Sequence, residues 1–152
     1  MIHFNDQRQQ ILEALQRLED NTQPLFGIMT PQHMVEHIAQ AVSISNGERT
    51  LSLMVDSDRA STQKRIMIFT DRPFPKGMKA PSLDGKQPAL MFNNLDEAKR
   101  ELIRQFDLFD AWYHQHPEAT CMHPFLGPLN QDEWVRFHTK HVTHHFQQFS
   151  LI

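Results

Sequence analysis

The chain of 152 residues has the length of one ordinary domain, and 39% hydrophobic with 22% charged residues is a composition that buries a core. Fifteen Lys+Arg against 18 Asp+Glu leave a formal charge of −3, without the basic excess of a protein dedicated to nucleic acid. The single cysteine, Cys121, excludes an internal disulfide and a cysteine-based zinc knuckle, and no run reaches the roughly 18 apolar residues of a membrane span.

The start, MIHFNDQRQQ, has neither the basic region nor the apolar run of a signal peptide, so a cytoplasmic protein is expected. A first helix is predicted from Asn5 or Asp6, either of which can cap, to about Asp20, with Ile11, Leu12, Leu15 and Leu18 at helical spacing. A second opens at Thr30-Pro31, a good N-cap followed by a proline that has no amide hydrogen to waste. It carries Met34, Ile38, Ala41 and Val42 on one stripe and ends near Gly47. The third runs from the Asn93/Asn94 cap region to about His116, where Pro117 stops it, and repeats Leu95, Ala98, Leu102, Phe106, Phe109 and Tyr113 at three or four residues. The last begins at Asn130, with Glu133 placed for a capping box, and continues to about Phe149.

Between the second and third helices, residues 48–92 hold four of the nine prolines, and only 63–69 reads as regular, as a short helix or strand. A connection of that length suits a bundle with one long crossover better than four helices joined by hairpins. The expected fold is therefore a single all-α domain over 1–152, a four-helix bundle with a long irregular crossover between the second and third helices.

Ten histidines are the anomaly, four of them within eight positions: His138, His141, His144 and His145. On a helical wheel with His141 at zero, Trp134 falls at ~20°, His145 at ~40°, His138 at ~60°, Gln148 at ~−20° and Phe137 at ~−40°. A face with a tryptophan and a phenylalanine turns inward, and it takes its imidazoles with it. His141 and His145, at i and i+4, stand close enough for two ring nitrogens to meet on one ion. His37 lies at the edge of the second helix's apolar stripe and can supply a third ligand from a facing helix. Three neutral imidazoles suit zinc, nickel, copper or iron better than magnesium or calcium, and leave a coordination position open. The plainer alternative is a set of exposed histidines, or core histidines bonded to carbonyls. Several unpaired imidazoles on an apolar face would each need a polar partner, which weighs against it.

His33-Met34-Val35-Glu36-His37 also matches H-x-x-E-H, the zinc signature of the inverzincins. Three fixed letters match by chance on a histidine-rich chain, those peptidases are much larger, and Glu36 stands about 100° round the helix from His37. His33 is then left to support the site or line its mouth, and either His33 or His138 could add a ligand. Cys121 has no activating neighbour in sequence and reads as a buried thiol. His114 and His116 read as helix-end residues, His123 as part of the loop HPFLGPLN, and Asp56, Asp58 and Arg59 as residues of the crossover within reach of a site mouth.

The last helix, EWVRFHTKHVTHHFQQF, with the preceding HPFLGPLN, resembles the C-terminal signature of the DinB-like (DinB/YfiT) metal-binding four-helix-bundle superfamily, in particular its short subfamily. Lys140-His141, His144-His145 and Gln148-Phe149 fit that signature as written, while His123-Pro124-Phe125-Leu126-Gly127 places its aromatic one residue away. Phe26-Gly27-Ile28-Met29-Thr30 followed by Met34-Val35-Glu36-His37 resembles the same family's approach to its second helix, with Phe26 where a tryptophan is usual. The resemblance implies a metal triad on His37, His141 and His145 and a divalent ion such as zinc or nickel. It also implies, for several relatives, transfer or isomerisation with a low-molecular-weight thiol such as bacillithiol, mycothiol or glutathione. Other relatives are taken for hydrolases, and many form dimers. His144 and Gln148 match family positions without being expected ligands.

The expectation is a metal-dependent enzyme, a thiol S-transferase first and a metal-assisted hydrolase second, acting on a small molecule and not on nucleic acid. From another class comes a non-catalytic bundle whose ion holds it together or whose interior keeps a small ligand.

Overall fold

The computed structural model describes residues 1–76 and 87–152. Residues 77–86, inside the predicted crossover, lie outside the described part, and with them the middle of the proline-rich path. The described residues form five helices and one short hairpin: α1 (Arg8–Arg17), α2 (Pro31–Ser45), α3 (Ser57–Ile68), α4 (Leu95–Gln115), β1 (Cys121–His123), β2 (Gly127–Leu129) and α5 (Gln131–Gln148). No helix among them is long and apolar enough to cross a membrane.

Local chemistry accounts for most helix starts. Thr30 accepts from the His33 amide, Asn94 from the Glu97 amide at 2.9 Å, and Asn130 and Glu133 make both bonds of a capping box at 3.0 Å each. The first helix differs from expectation. Neither Asn5 nor Asp6 caps it; residues 4–7 form turns, α1 opens after Gln7 without a side-chain cap, and it ends at Arg17, three residues short of Asp20. Leu18, extended at the end of that helix, is nevertheless buried.

Two elements depart from the expected all-α chain with an irregular crossover. α3 occupies twelve residues of that crossover, capped by Asp56, whose carboxylate accepts from the Arg59 amide at 2.8 Å. Only Ala60 and Ile68 of α3 are buried, so the apolar repeat that reveals a helix is missing. What holds it is polar: Lys64 pairs with Glu133 at 2.8 Å, and the buried Lys140 donates to the Met67 carbonyl at 2.7 Å and to the Thr70 carbonyl at the helix's C-terminal end. The second departure is the antiparallel pair β1–β2, with Cys121 opposite Leu129 and His123 opposite Gly127, in the segment read as a loop. Gly127, at φ +79°, makes the turn that a side chain would strain.

The core brings α1, α2, α4 and α5 together, with α2 and α4 in the most extensive contact. Phe4 meets Phe106 and Phe109 edge-on at 5.3 and 5.4 Å. The N-terminal segment lies along α5, where the Ile2 and Phe4 amides donate to Thr143 and Thr139 at 2.9 and 3.0 Å. α2 and α5 are in contact, and each contributes histidines where they meet.

Candidate metal centre

His37, from α2, and His141 and His145, one turn apart on α5, converge so that one nitrogen from each lies within 4.8 Å of the others. The Nε2 atoms of His37 and His141 are 2.9 Å apart, and the three ring centroids stand 4.8 to 4.9 Å from one another. His141 and His145 are buried and His37 is the half-buried member.

Burial sets the charge of this group. It pushes His37 down to about 4 and His145 to about 3, and pushes His141 well below the ordinary histidine value; neighbouring imidazoles lower each further. At neutral pH all three rings are uncharged and each keeps a nitrogen lone pair, the form in which imidazole binds a metal.

The surroundings of the three rings differ. His145 Nδ1 is 2.8 Å from Gln148 Oε1, and Gln148 Nε2 donates to the Phe26 carbonyl at 2.8 Å. His141 Nδ1 is buried with no hydrogen-bond partner among the described residues. Phe74, from the segment after α3, leans over the group with its ring 6.0 Å from His141 and 5.5 Å from Phe137. A cavity of about 280 Å³ is bordered by Phe26, Phe74, Lys76, Thr143 and His144, and none of the three histidines lines it. A larger cavity of about 340 Å³ lies along α2 and α4, away from the histidines, and its carboxylates are engaged: Glu48 and Glu101 both bind Arg104 and Gln105.

The other residues singled out in the sequence take different places. His138 does not join the triad. Its Nε2 bonds Ser45 Oγ at 2.8 Å, its ring stacks on Trp134, and burial pushes it down to about 3. His33 is tied to Thr30 Oγ1 at 2.7 Å and to the Pro88 carbonyl at 3.0 Å. Glu36, the would-be base of the H-x-x-E-H match, accepts from the Met91 and Phe92 amides at 2.8 and 3.1 Å and from Gln32 at 3.0 Å. It fastens the end of the crossover to α2.

His144 borders the cavity, 5.3 Å from the Phe26 ring. His123 accepts from the Phe125 amide at 3.1 Å and packs on Phe137. Cys121 is a buried thiol whose pKa burial raises, the reverse of an activated nucleophile. His114 and His116 are exposed at the end of α4, with the His116 ring on Trp112. Asp56 caps α3, and Asp58 and Arg59 are exposed in its first turn.

Two contributors were not assigned from sequence. Gln148 shared the wheel face of His141, so its signal was present. Phe74 comes from the crossover, where no periodicity pointed inward.

A family model described as "Protein of unknown function (DUF1569)" matches residues 2–151, and the chain belongs to that family. No curated protein and no solved structure matches it.

Proposed function

We propose that this protein is a metal-dependent enzyme in which His37, His141 and His145 hold one divalent transition ion, zinc or nickel before iron. The observation that carries the proposal is the convergence of three neutral, buried imidazoles from two helices, with ligand atoms within 4.8 Å of one another. Without a cation, the 2.9 Å approach of the His37 and His141 Nε2 atoms needs one shared proton, and His141 Nδ1 is buried with no hydrogen-bond partner among the described residues. Nitrogen donors of this kind fit a borderline transition metal and not magnesium or calcium. The proposal extends to the architecture: α1, α2, α4 and α5 as the four helices of a DinB-like bundle, with α3 and the hairpin as additions.

The reaction class proposed is S-transfer with a low-molecular-weight thiol, with metal-assisted hydrolysis as the alternative. A divalent ion held only by neutral ligands keeps its full charge and acidifies a thiol or water beside it. The chain's own part is to supply the three nitrogens and to shield them from bulk water with Phe74 and Phe137. A cytoplasmic homodimer completes the proposal, with no nucleic-acid ligand, in line with its formal charge of −3.

The test is to incubate zinc- and nickel-loaded protein with glutathione, bacillithiol or mycothiol and an electrophile, and to follow thiol consumption and thioether formation. Turnover in wild type that vanishes in His37→Ala supports S-transfer. Hydrolysis of an activated ester or amide without thiol consumption would replace it with the hydrolase reading. A structural ion is the second reading, favoured by the burial of His141 and His145; it predicts that chelation unfolds the protein, whereas the enzyme reading predicts a folded apo form.

A further inference from the structure

The loop Leu25–Gly27 grips Gln148 at three points. The Leu25 amide donates to the Gln148 main-chain carbonyl at 2.7 Å, and the Phe26 carbonyl accepts from Gln148 Nε2 at 2.8 Å. Gly27, at φ +78°, lies so close that a Cβ there would stand 2.8 Å from Gln148 Nε2. A carbonyl oxygen only accepts, so the amide nitrogen of Gln148 must face Phe26 and its oxygen must face His145. An amide oxygen also only accepts, so His145 Nδ1, 2.8 Å away, must carry the proton. The remaining nitrogen of His145, Nε2, then has a free lone pair.

We infer that Gln148, locked by the Leu25–Gly27 loop, is a positioning residue that holds His145 in its Nδ1–H tautomer and keeps Nε2 available to the histidine group. The polarity runs in one direction from the Phe26 carbonyl through the Gln148 amide to the imidazole. It fixes tautomer and ring orientation together, as outer partners do for metal-bound histidines. The tautomer follows from the hydrogen bonds alone, whereas its consequence for metal affinity rests on the metal reading above. Gly27 enters for a steric reason, since any side chain there displaces the amide that sets the proton.

The experiment has two readouts on metal-free and zinc-titrated protein. Long-range ¹H–¹⁵N correlation of the imidazoles reports the His145 tautomer, and competition with a chromophoric chelator reports zinc affinity. Wild type should show the Nδ1–H form. Gln148→Leu should lose that preference and bind zinc about 10–100-fold more weakly, and Gly27→Ala should shift both readouts the same way. Gln147→Leu, an exposed neighbour, should change neither. An Nε2–H tautomer in wild type would overturn the inference even if Gln148→Leu failed to fold. So would Gln148→Leu zinc affinity and tautomer equal to wild type. The Nδ1–H form in a wild-type protein that takes up no zinc would support Gln148's control of the tautomer and end the metal reading.

Discussion

His37 and His141, 104 positions apart in the chain, face each other with their Nε2 atoms 2.9 Å apart across α2 and α5. Two neutral imidazoles can share one proton in that arrangement, or both can point lone pairs at one cation. The nearby ring of His145 favours the second. Removing the group by His37→Ala should not unfold the protein, because the ring is only half-buried. Circular dichroism melts should show a shift of a few degrees at most in the metal-free form, while zinc-induced stabilisation disappears.

Acid should destabilise the metal-free protein over a defined window. Burial depresses His37 and His123 to about 4 and His138 and His145 to about 3, from an ordinary 6.5. Below pH 6.5 the unfolded chain binds protons that the folded chain refuses, so folding loses stability as pH falls toward those folded values and is unaffected above 6.5. Urea midpoints should be flat from pH 8 to 7 and fall steadily from 6.5 to 4. A midpoint unchanged at pH 5 would show that these rings are not buried neutral.

Glu36→Ala separates the two readings of His33–His37. Glu36 bonds the Met91 and Phe92 amides, and its loss should cost about 1–2 kcal/mol, the lower part of the range for a charged acceptor because Met91 is exposed. Zinc stoichiometry should stay as in wild type. Unchanged thermal stability with zinc retained would instead favour the H-x-x-E-H reading, in which Glu36 is a base and fastens nothing.

α5 carries two of the three proposed ligands, so the capping box at its start bears on the site. Asn130→Ala should lower stability by about 1 kcal/mol, measured by urea unfolding, and leave zinc affinity within about twofold, since His141 lies well beyond the first turn, where capping effects fade. A tenfold loss of affinity would mean that the box positions the ligands.

The parts legible in the sequence were those with local or periodic causes. Thr30-Pro31, Asn94 and the Asn130–Glu133 pair announce helix starts, and the wheel face of Trp134, His141 and His145 brought the two α5 histidines inward. His37 was placed by the edge of one apolar stripe. α3 was read only in its second half, because polar ties from Lys64 and Lys140, and not an apolar face, hold it. Strands of three residues around His123-Pro124 carry too few alternations to register. Phe74 over His141 depends on the path of the crossover, a tertiary matter. Asn5 and Asp6 have the right chemistry for a cap, but the preceding chain is tied to Thr139 and Thr143 of α5 and the turns it forms delay α1 to Arg8.

The most direct measurement is metal content by elemental analysis of untagged wild type and His141→Ala, purified without chelators. About one divalent transition metal per chain in wild type, lost in His141→Ala while the circular dichroism spectrum is kept, is the predicted result. Metal-free wild type after reconstitution with zinc, nickel and iron, or equal metal in both proteins, would contradict the assignment of His37, His141 and His145 as a metal centre.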